Sequence, residues 1–127
     1  MGYVIYMVGG ESYEEERFRK SDVTEKFYIE DDEWDVIVPK LNRPKSGVAL
    51  CKFQNSFIYA FGGDNGSSKK NIVNEIERLD LAEEDNPEQK YWDLLYIKHK
   101  TLLPLAYAFA SLIDDDRMIL LGGRQNI

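Results

Sequence analysis

An internal repeat constrains this sequence more than any other feature. In residues 44–63, a segment at 46–53 is followed by a turn at 54–56, an apolar run at 57–61 and the pair Gly62-Gly63. The same arrangement returns at 104–123, and its second half opens the chain. The first glycines of the three pairs, at positions 9, 62 and 122, are spaced by 53 and 60 residues. Periods of this size are typical of repeat architectures, in which each repeat buries its faces against its neighbours.

The repeated segments predict strands rather than helices. The run at 57–61 is apolar at every position, which indicates a strand covered on both faces. A helix over 73–84 is the alternative, but that stretch lacks a clear cap, and its equivalent in the first repeat is rich in strand-forming residues. The sequence therefore predicts nine strands, with Glu11–Ser21 and Asp64–Asn71 as surface loops. The nine segments are 3–8, 22–29, 34–38, 46–53, 57–61, 75–81, 91–97, 106–113 and 118–121.

Two tryptophans hold matching places after the first two glycine pairs. Trp34 follows Phe27 by seven residues, and Trp92 follows Leu79 by thirteen. The additional residues belong to the polar, proline-containing region 83–90, where a longer turn costs little free energy. We therefore expect both tryptophans to be buried in equivalent places of successive repeats.

These residues together resemble a kelch repeat, a family whose repeat is about 50 residues long. Its marks are a strand ending in Gly-Gly, an aromatic residue on the next strand and a tryptophan about seven residues later. Phe27 and Leu79 stand where the family usually has Tyr. Lys45 and Leu105 stand where it often has Arg. WD repeats are the alternative, since Trp-Asp occurs twice. That family also has a Gly-His pair, which is absent here because Lys98 precedes the only histidine.

The resemblance implies an all-β fold of kelch-type propeller blades, each a four-stranded antiparallel sheet. Residues 1–43 would supply strands two to four of one blade, 44–103 a full blade, and 104–127 strands one and two of a third. Propellers typically need four to eight blades, so about two and a half repeats predict an incomplete propeller. We expect the chain either to be a fragment of a longer kelch protein or to pack its open ends against other chains.

Composition narrows the class of partner and the compartment. The 127 residues are 43% hydrophobic and 13% aromatic, enough for a packed core. The net charge of −7 argues against nucleic acid as a partner, and no apolar run is long enough to cross a membrane. No secretory signal is visible, and the single cysteine forms no intrachain disulfide. We therefore expect a cytoplasmic protein, with a cytoskeletal or ciliary scaffold as the role suggested by analogy with the family.

The chain shows no pattern typical of a catalytic, cofactor or metal site. Acidic clusters at 30–33, 83–85 and 114–116 are typical of solvated turns. Residues 64–75 have the composition of a calcium loop without its ligand spacing, and residues 62–70 lack the residue order of a phosphate loop. His99 has no nucleophile nearby in sequence, and Cys51 reads as a small packing residue.

We therefore predict a non-enzymatic protein-interaction scaffold or adaptor without a cofactor. The alternatives are a fragment without independent activity and part of a kelch-propeller enzyme, either an oxidase or a sugar-processing enzyme. One histidine and one cysteine argue against a copper centre. Binding should lie in loops on a rigid scaffold, and the loops after equivalent glycines should emerge on one face. The candidate partner-binding residues are Arg17, Arg19, Lys20, Asp64, Asn65, Lys69 and Lys70.

Overall fold

The computed structural model describes residues 2–95 and 104–126, and within them the protein is all-β, as the sequence predicts. It contains eleven strands and one short 3₁₀ helix at Leu81–Glu83. The strands are β1 (Val4–Val8), β2 (Glu11–Glu14), β3 (Arg17–Lys20), β4 (Thr24–Tyr28), β5 (Glu33–Val36), β6 (Ala49–Phe53), β7 (Phe57–Phe61), β8 (Ile76–Asp80), β9 (Asp93–Leu95), β10 (Phe109–Leu112) and β11 (Met118–Leu121).

These strands form several small antiparallel sheets, none of them closed. The first sheet has the order β1-β4-β5, the second β6-β7-β8-β9, and the third β10-β11. Every strand of these three sheets overlaps one of the nine predicted segments. The predicted seventh strand extends to residue 97, and its last two positions lie outside the described residues. The sequence pattern therefore located the strands of all three sheets.

The remaining two strands form a hairpin that the sequence analysis missed. Residues 11–21 were expected to be a surface loop, and this expectation is wrong, because β2 and β3 pair in register from Glu11↔Lys20 to Glu14↔Arg17. The turn is made by Glu15 and Glu16, both with positive φ (51° and 64°). Such turns favour Asn-Gly or Asp-Gly, so two glutamates carry no hairpin signal.

The double glycines form the joints between successive sheets. The backbone N–H of Gly10 donates to the carbonyl oxygen of Lys45, 2.9 Å away, just before the second sheet begins. The N–H of Gly63 donates in the same way to the carbonyl oxygen of Leu105, at 2.7 Å, just before the third. The two joints therefore share one geometry.

Steric overlap explains why the first residue of each joint is glycine. Gly9 and Gly62 both have φ of +66°, and a Cβ at either position would overlap a carbonyl oxygen, that of Lys45 or Leu105. Gly122, after β11, has a similar φ of +72°, but no described atom lies within 4 Å of its Cβ position. Glycine is thus required at the first two positions by the approach of the next sheet, and not by φ alone.

The apolar core lies between the first and second sheets. Ile58, Ala60, Leu79 and Trp92 of the second repeat are buried there with residues that follow β5. Trp92 is 2% exposed, as predicted, and its indole N–H donates to the Thr24 hydroxyl of the first sheet at 3.1 Å. Trp92 therefore anchors one sheet to the other.

Trp34 does not share this environment, and the prediction that it is buried is wrong. The two tryptophans have equivalent positions in their sheets. Trp34 lies one residue before Asp35, which pairs with Lys26, and Trp92 lies one residue before Asp93, which pairs with Arg78. Trp34 is nevertheless 55% exposed, and its ring packs on Phe27, with centroids 4.8 Å apart. Because no described sheet covers this face, equivalent positions differ in burial.

A buried ionic cluster ties the start of the second sheet to its third strand. The Lys45 ammonium lies 2.6 Å from Glu77 Oε2 and 3.3 Å from Glu75 Oε2, and both Lys45 and Glu77 have completely buried side chains. Glu77 Oε1 accepts from the backbone and side-chain N–H groups of Asn42, both at 2.7 Å. Such charges are tolerated inside a protein only when they are paired and hydrogen-bonded. The Lys45 position is therefore structural.

The two tryptophans should differ sharply in their effect on stability. Trp92→Ala should lower the free energy of unfolding by about 3–5 kcal/mol, the usual cost of truncating a core aromatic. Trp34→Ala should cost about 1 kcal/mol, since its side chain is more than half exposed and the change removes its aromatic pair with Phe27. Urea denaturation of the two variants measures the difference. Equal losses would show that another surface covers Trp34 in solution.

The glycine joints predict a second contrast. Gly62→Ala should cost about 3–5 kcal/mol, because the new methyl group forces the Leu105 carbonyl away in addition to straining φ. Gly122→Ala is the matched control and should cost about 1–2 kcal/mol, from φ strain alone. Thermal denaturation of both variants tests this, and similar losses at the two positions would contradict the steric role of the joint.

Candidate functional site

The hairpin β2–β3 and the loop 64–71 lie side by side and line an open groove of about 700 Å³. The two segments follow equivalent glycine pairs, and they meet on one face as predicted. The groove also contains Phe18, whose ring packs on Tyr13 with centroids 5.0 Å apart. The predicted residues that line it are Arg17, Arg19, Lys20, Asp64 and Asn65.

Two arginines of β3 form the solvent-facing charge of the groove. Arg19 is bonded to Glu15 at 3.0 Å, but both side chains are largely exposed, so the pair contributes little to stability. Arg17 forms no ion pair with any residue that the structure describes. Phe18 and Tyr13 are also exposed, at 69% and 62%. Cationic and aromatic side chains are therefore exposed together on the β2–β3 hairpin.

Lys20 has a different role from its two neighbours. Its ammonium donates to the Ser46 hydroxyl at 2.8 Å and lies 2.9 Å from Glu11 and 3.9 Å from Asp64. Only 12% of the side chain is exposed. Lys20 thus fastens the hairpin to the start of the second sheet, and it leaves Arg17 and Arg19 as the available cations.

Local hydrogen bonds shape the other wall of the groove. Asp64 Oδ1 accepts from the Gly66 N–H at 2.8 Å, and Asn65 Oδ1 accepts from the Ser67 N–H at 2.9 Å. Burial raises the pKa of Asp64, but hydrogen bonds from Gly66 and Asn71 and the nearby charges of Lys20 and Arg124 outweigh it, so the net shift is downward. The Asp64 carboxylate is therefore held ionised in the wall.

The other two predicted residues, Lys69 and Lys70, lie elsewhere. They line a second cavity of about 480 Å³, between the loop 64–71 and residues 124–126 after β11. The Asn126 side chain closes this cavity by pairing with the backbone of Ile72, at 3.1 Å and 3.0 Å. The predicted set is therefore divided between two adjacent spaces, one beside each glycine joint.

Sequence reasoning also missed a polar contact between the first and second sheets. The Glu84 carboxylate, in the longer turn after β8, accepts from the Tyr6 hydroxyl and from the Lys26 ammonium, both at 2.7 Å. Burial lowers the pKa of Lys26, but its bonds to Glu84 and Tyr28 outweigh this and raise the net value. Burial and the Glu84 hydrogen bond raise the pKa of Tyr6. No motif marks Glu84 among its acidic neighbours.

This contact predicts a specific loss of stability. Glu84→Gln should lower the free energy of unfolding by about 2–4 kcal/mol, because Lys26 is left nearly buried without a counter-charge. Glu88→Gln, an exposed carboxylate in the same segment, is the control and should change it by less than about 0.5 kcal/mol. Denaturation at pH 7 measures both variants. Equal effects would contradict the assigned role of Glu84.

The pH dependence provides a second readout of the same contact. Groups with a raised folded-state pKa stabilise the protein fully below their unfolded pKa, which is about 10 for both Tyr6 and Lys26. This stability is lost as the pH rises above that value. The loss should be smaller in Glu84→Gln, whose Tyr6 and Lys26 lack the bond that raises their pKa.

Residues typical of catalysis do not come together in the part of the chain that the structure describes. No group of three or more His, Cys, Asp or Glu residues there could hold a metal ion. Cys51 is buried, which raises the pKa of its thiol and disfavours the reactive thiolate. His99 lies outside the described residues. None of the helices described is long and apolar enough to cross a membrane.

Comparison with known proteins leaves the family of this chain open. The sequence matches no protein-family model, and a search of curated proteins found no significant match.

Proposed function

We propose that the first, second and third sheets are successive blades of a kelch-type β-propeller, divided at residues 1–43, 44–103 and 104–127. The shared geometry of the Gly10 and Gly63 joints supports this arrangement. So does the matching register of Trp34 and Trp92 in the first two sheets. The third sheet begins at the second joint and supplies two strands.

In this proposal, the open face of the first sheet is covered by a further blade, in cis or from another chain. Ile5, Met7, Trp34 and Val36 are each about half exposed there, at 48%, 50%, 55% and 60%. Their counterparts on the second sheet include Ile58 and Trp92, both buried against the first sheet. Contiguous exposed apolar surface of this kind is typical of an interface.

The chain's proposed function is to bind another protein as a scaffold or adaptor, through the groove beside the β2–β3 hairpin. The observation that carries this proposal is the joint exposure of Arg17, Arg19, Tyr13 and Phe18 on one hairpin. Arginine and aromatic side chains are enriched at protein interfaces and dominate their binding energy. We place this function in the cytoplasm, because the single cysteine forms no intrachain disulfide and such chains are typical of a reducing compartment.

A charge-reversal experiment tests the groove. The double variant Arg17→Glu/Arg19→Glu should lose at least about tenfold of the proteins captured from a source-cell extract, quantified by mass spectrometry, because interface arginines commonly contribute more than 1.4 kcal/mol. Its stability should be nearly unchanged, since the Arg19–Glu15 pair is exposed.

The matched control is Lys52→Glu/Lys90→Glu, which makes the same change in net charge at two exposed lysines away from the groove. It should retain the captured proteins. If both double variants capture the same proteins in the same amounts as the wild type, the groove is not the binding site.

A further inference from the structure

The second sheet repeats the polar pair that receives Glu84 on the first sheet. Tyr6 lies opposite Lys26 across β1 and β4, and Tyr59 lies opposite Arg78 across β7 and β8. The outer strands match as well, since Asp35 lies opposite Lys26 and Asp93 opposite Arg78. Each sheet therefore presents a phenol and a cation side by side on the same face.

On the first sheet this pair is occupied. Glu84 binds both Tyr6 and Lys26, and only 7% of the Lys26 side chain remains exposed. Apolar residues on both sides of Glu84 hold this segment in place, because Leu81 and Trp92 pack in the core between the sheets. The occupied copy thus consists of an acidic turn flanked by apolar anchors.

On the second sheet the pair has no such occupant among the described residues. The Arg78 guanidinium lies over the Phe57 ring at 4.7 Å, and one of its nitrogens is 3.4 Å from Asp93 of the same sheet. Its Nε is buried without a hydrogen-bond partner in that part of the chain. The Arg78 side chain is 33% exposed, against 7% for Lys26. A buried unpaired donor is costly, and an acceptor supplied from outside the sheet would satisfy it.

Apolar surface suited to a protein partner surrounds this unpaired donor. Phe57, Tyr59 and Phe61 form a row along β7, with successive ring centroids 6.3 Å and 6.2 Å apart. All three are only partly buried, and the third sheet packs against the neighbouring strand β6.

We propose that this face of the second sheet binds an acidic turn of a partner polypeptide. An Asp or Glu of the turn accepts from Arg78 and Tyr59, and an apolar residue beside it packs on the aromatic row, as the Glu84 segment does on the first sheet. This deepens the proposed function by assigning a partner chemistry to a second surface, separate from the hairpin groove.

A peptide titration tests the proposal on the full chain. The probe is a synthetic peptide of residues 81–92, the segment that fills the occupied copy, added to ¹⁵N-labelled protein while the Arg78 Nε–H resonance is followed by NMR. We expect a saturable shift of this resonance. The Glu84→Gln peptide should bind at least about tenfold more weakly, since it lacks the charged acceptor, whereas the Glu88→Gln peptide should bind like the parent.

Variants of the protein separate this site from the groove. Arg78→Gln should abolish the peptide-induced shifts of neighbouring backbone resonances, whereas Arg17→Glu/Arg19→Glu should leave binding intact even if the groove proposal fails. If Arg78→Gln does not fold, the two peptide variants on wild-type protein decide the question.

Four outcomes would overturn the inference. The first is the absence of a saturable shift, and the second is an equal affinity for the Glu84→Gln peptide. The third is an equal response to sodium acetate, which would indicate a site for a bare anion. The fourth is a concentration-dependent shift of the Arg78 resonance without peptide, which would show that a second copy of the chain covers the face.

Discussion

The close approach of each sheet to the glycine pair of the preceding sheet is the constraint on which the rest of the structure depends. A carbonyl oxygen occupies the space where a Cβ of Gly9 or Gly62 would lie, and the following glycine donates a hydrogen bond to that same oxygen. This contact sets the position of one sheet against the next. The sheet-on-sheet core and the Glu84 contact lie between the first and second sheets, which the Gly9-Gly10 joint connects.

Because this joint is repeated, each of the first two sheets has one apolar face and one face that carries a tyrosine and a cation. One face of the second sheet inserts Trp92 and Leu79 into the core, and the opposite face presents Tyr59 and Arg78. In the first sheet, Glu84 covers the face that carries Tyr6 and Lys26, while the opposite face, which carries Trp34, is exposed. Each face therefore occurs within one chain in a filled and an open copy, and the filled copy is the basis of the partner chemistry proposed for the open one.

The charged residues divide in a similar way between buried ion pairs and exposed side chains. Lys45, Lys20 and Lys26 are almost fully buried and paired, so they hold sheets and hairpin together. Arg17 and Arg19 lie on the same hairpin as Lys20 yet project into solvent. Neighbouring residues in the sequence therefore differ in burial. Of the three predicted cations on β3, only Arg17 and Arg19 remain exposed at the groove.

Much of the architecture was accessible from local sequence. The strand positions and the adjacency of the two groove segments follow from short-range patterns that one repeat shares with the next. The β2–β3 hairpin was missed because Glu15 and Glu16 adopt positive φ without the residues that normally indicate it. Glu84 was missed because its partners, Tyr6 and Lys26, are remote in sequence.

The sequence by itself determined the β-strands, their repeat and the glycines at the joints, because these depend on local alternation, backbone conformation and equivalent spacing. The tertiary structure alone decided that Trp92 is buried while Trp34 is exposed, and that Lys20 is bound while Arg17 projects into solvent. The physical reason is that burial and charge pairing depend on which other surface lies against a residue. That surface is provided by distant parts of the chain, and equivalent residues in two repeats do not meet the same one.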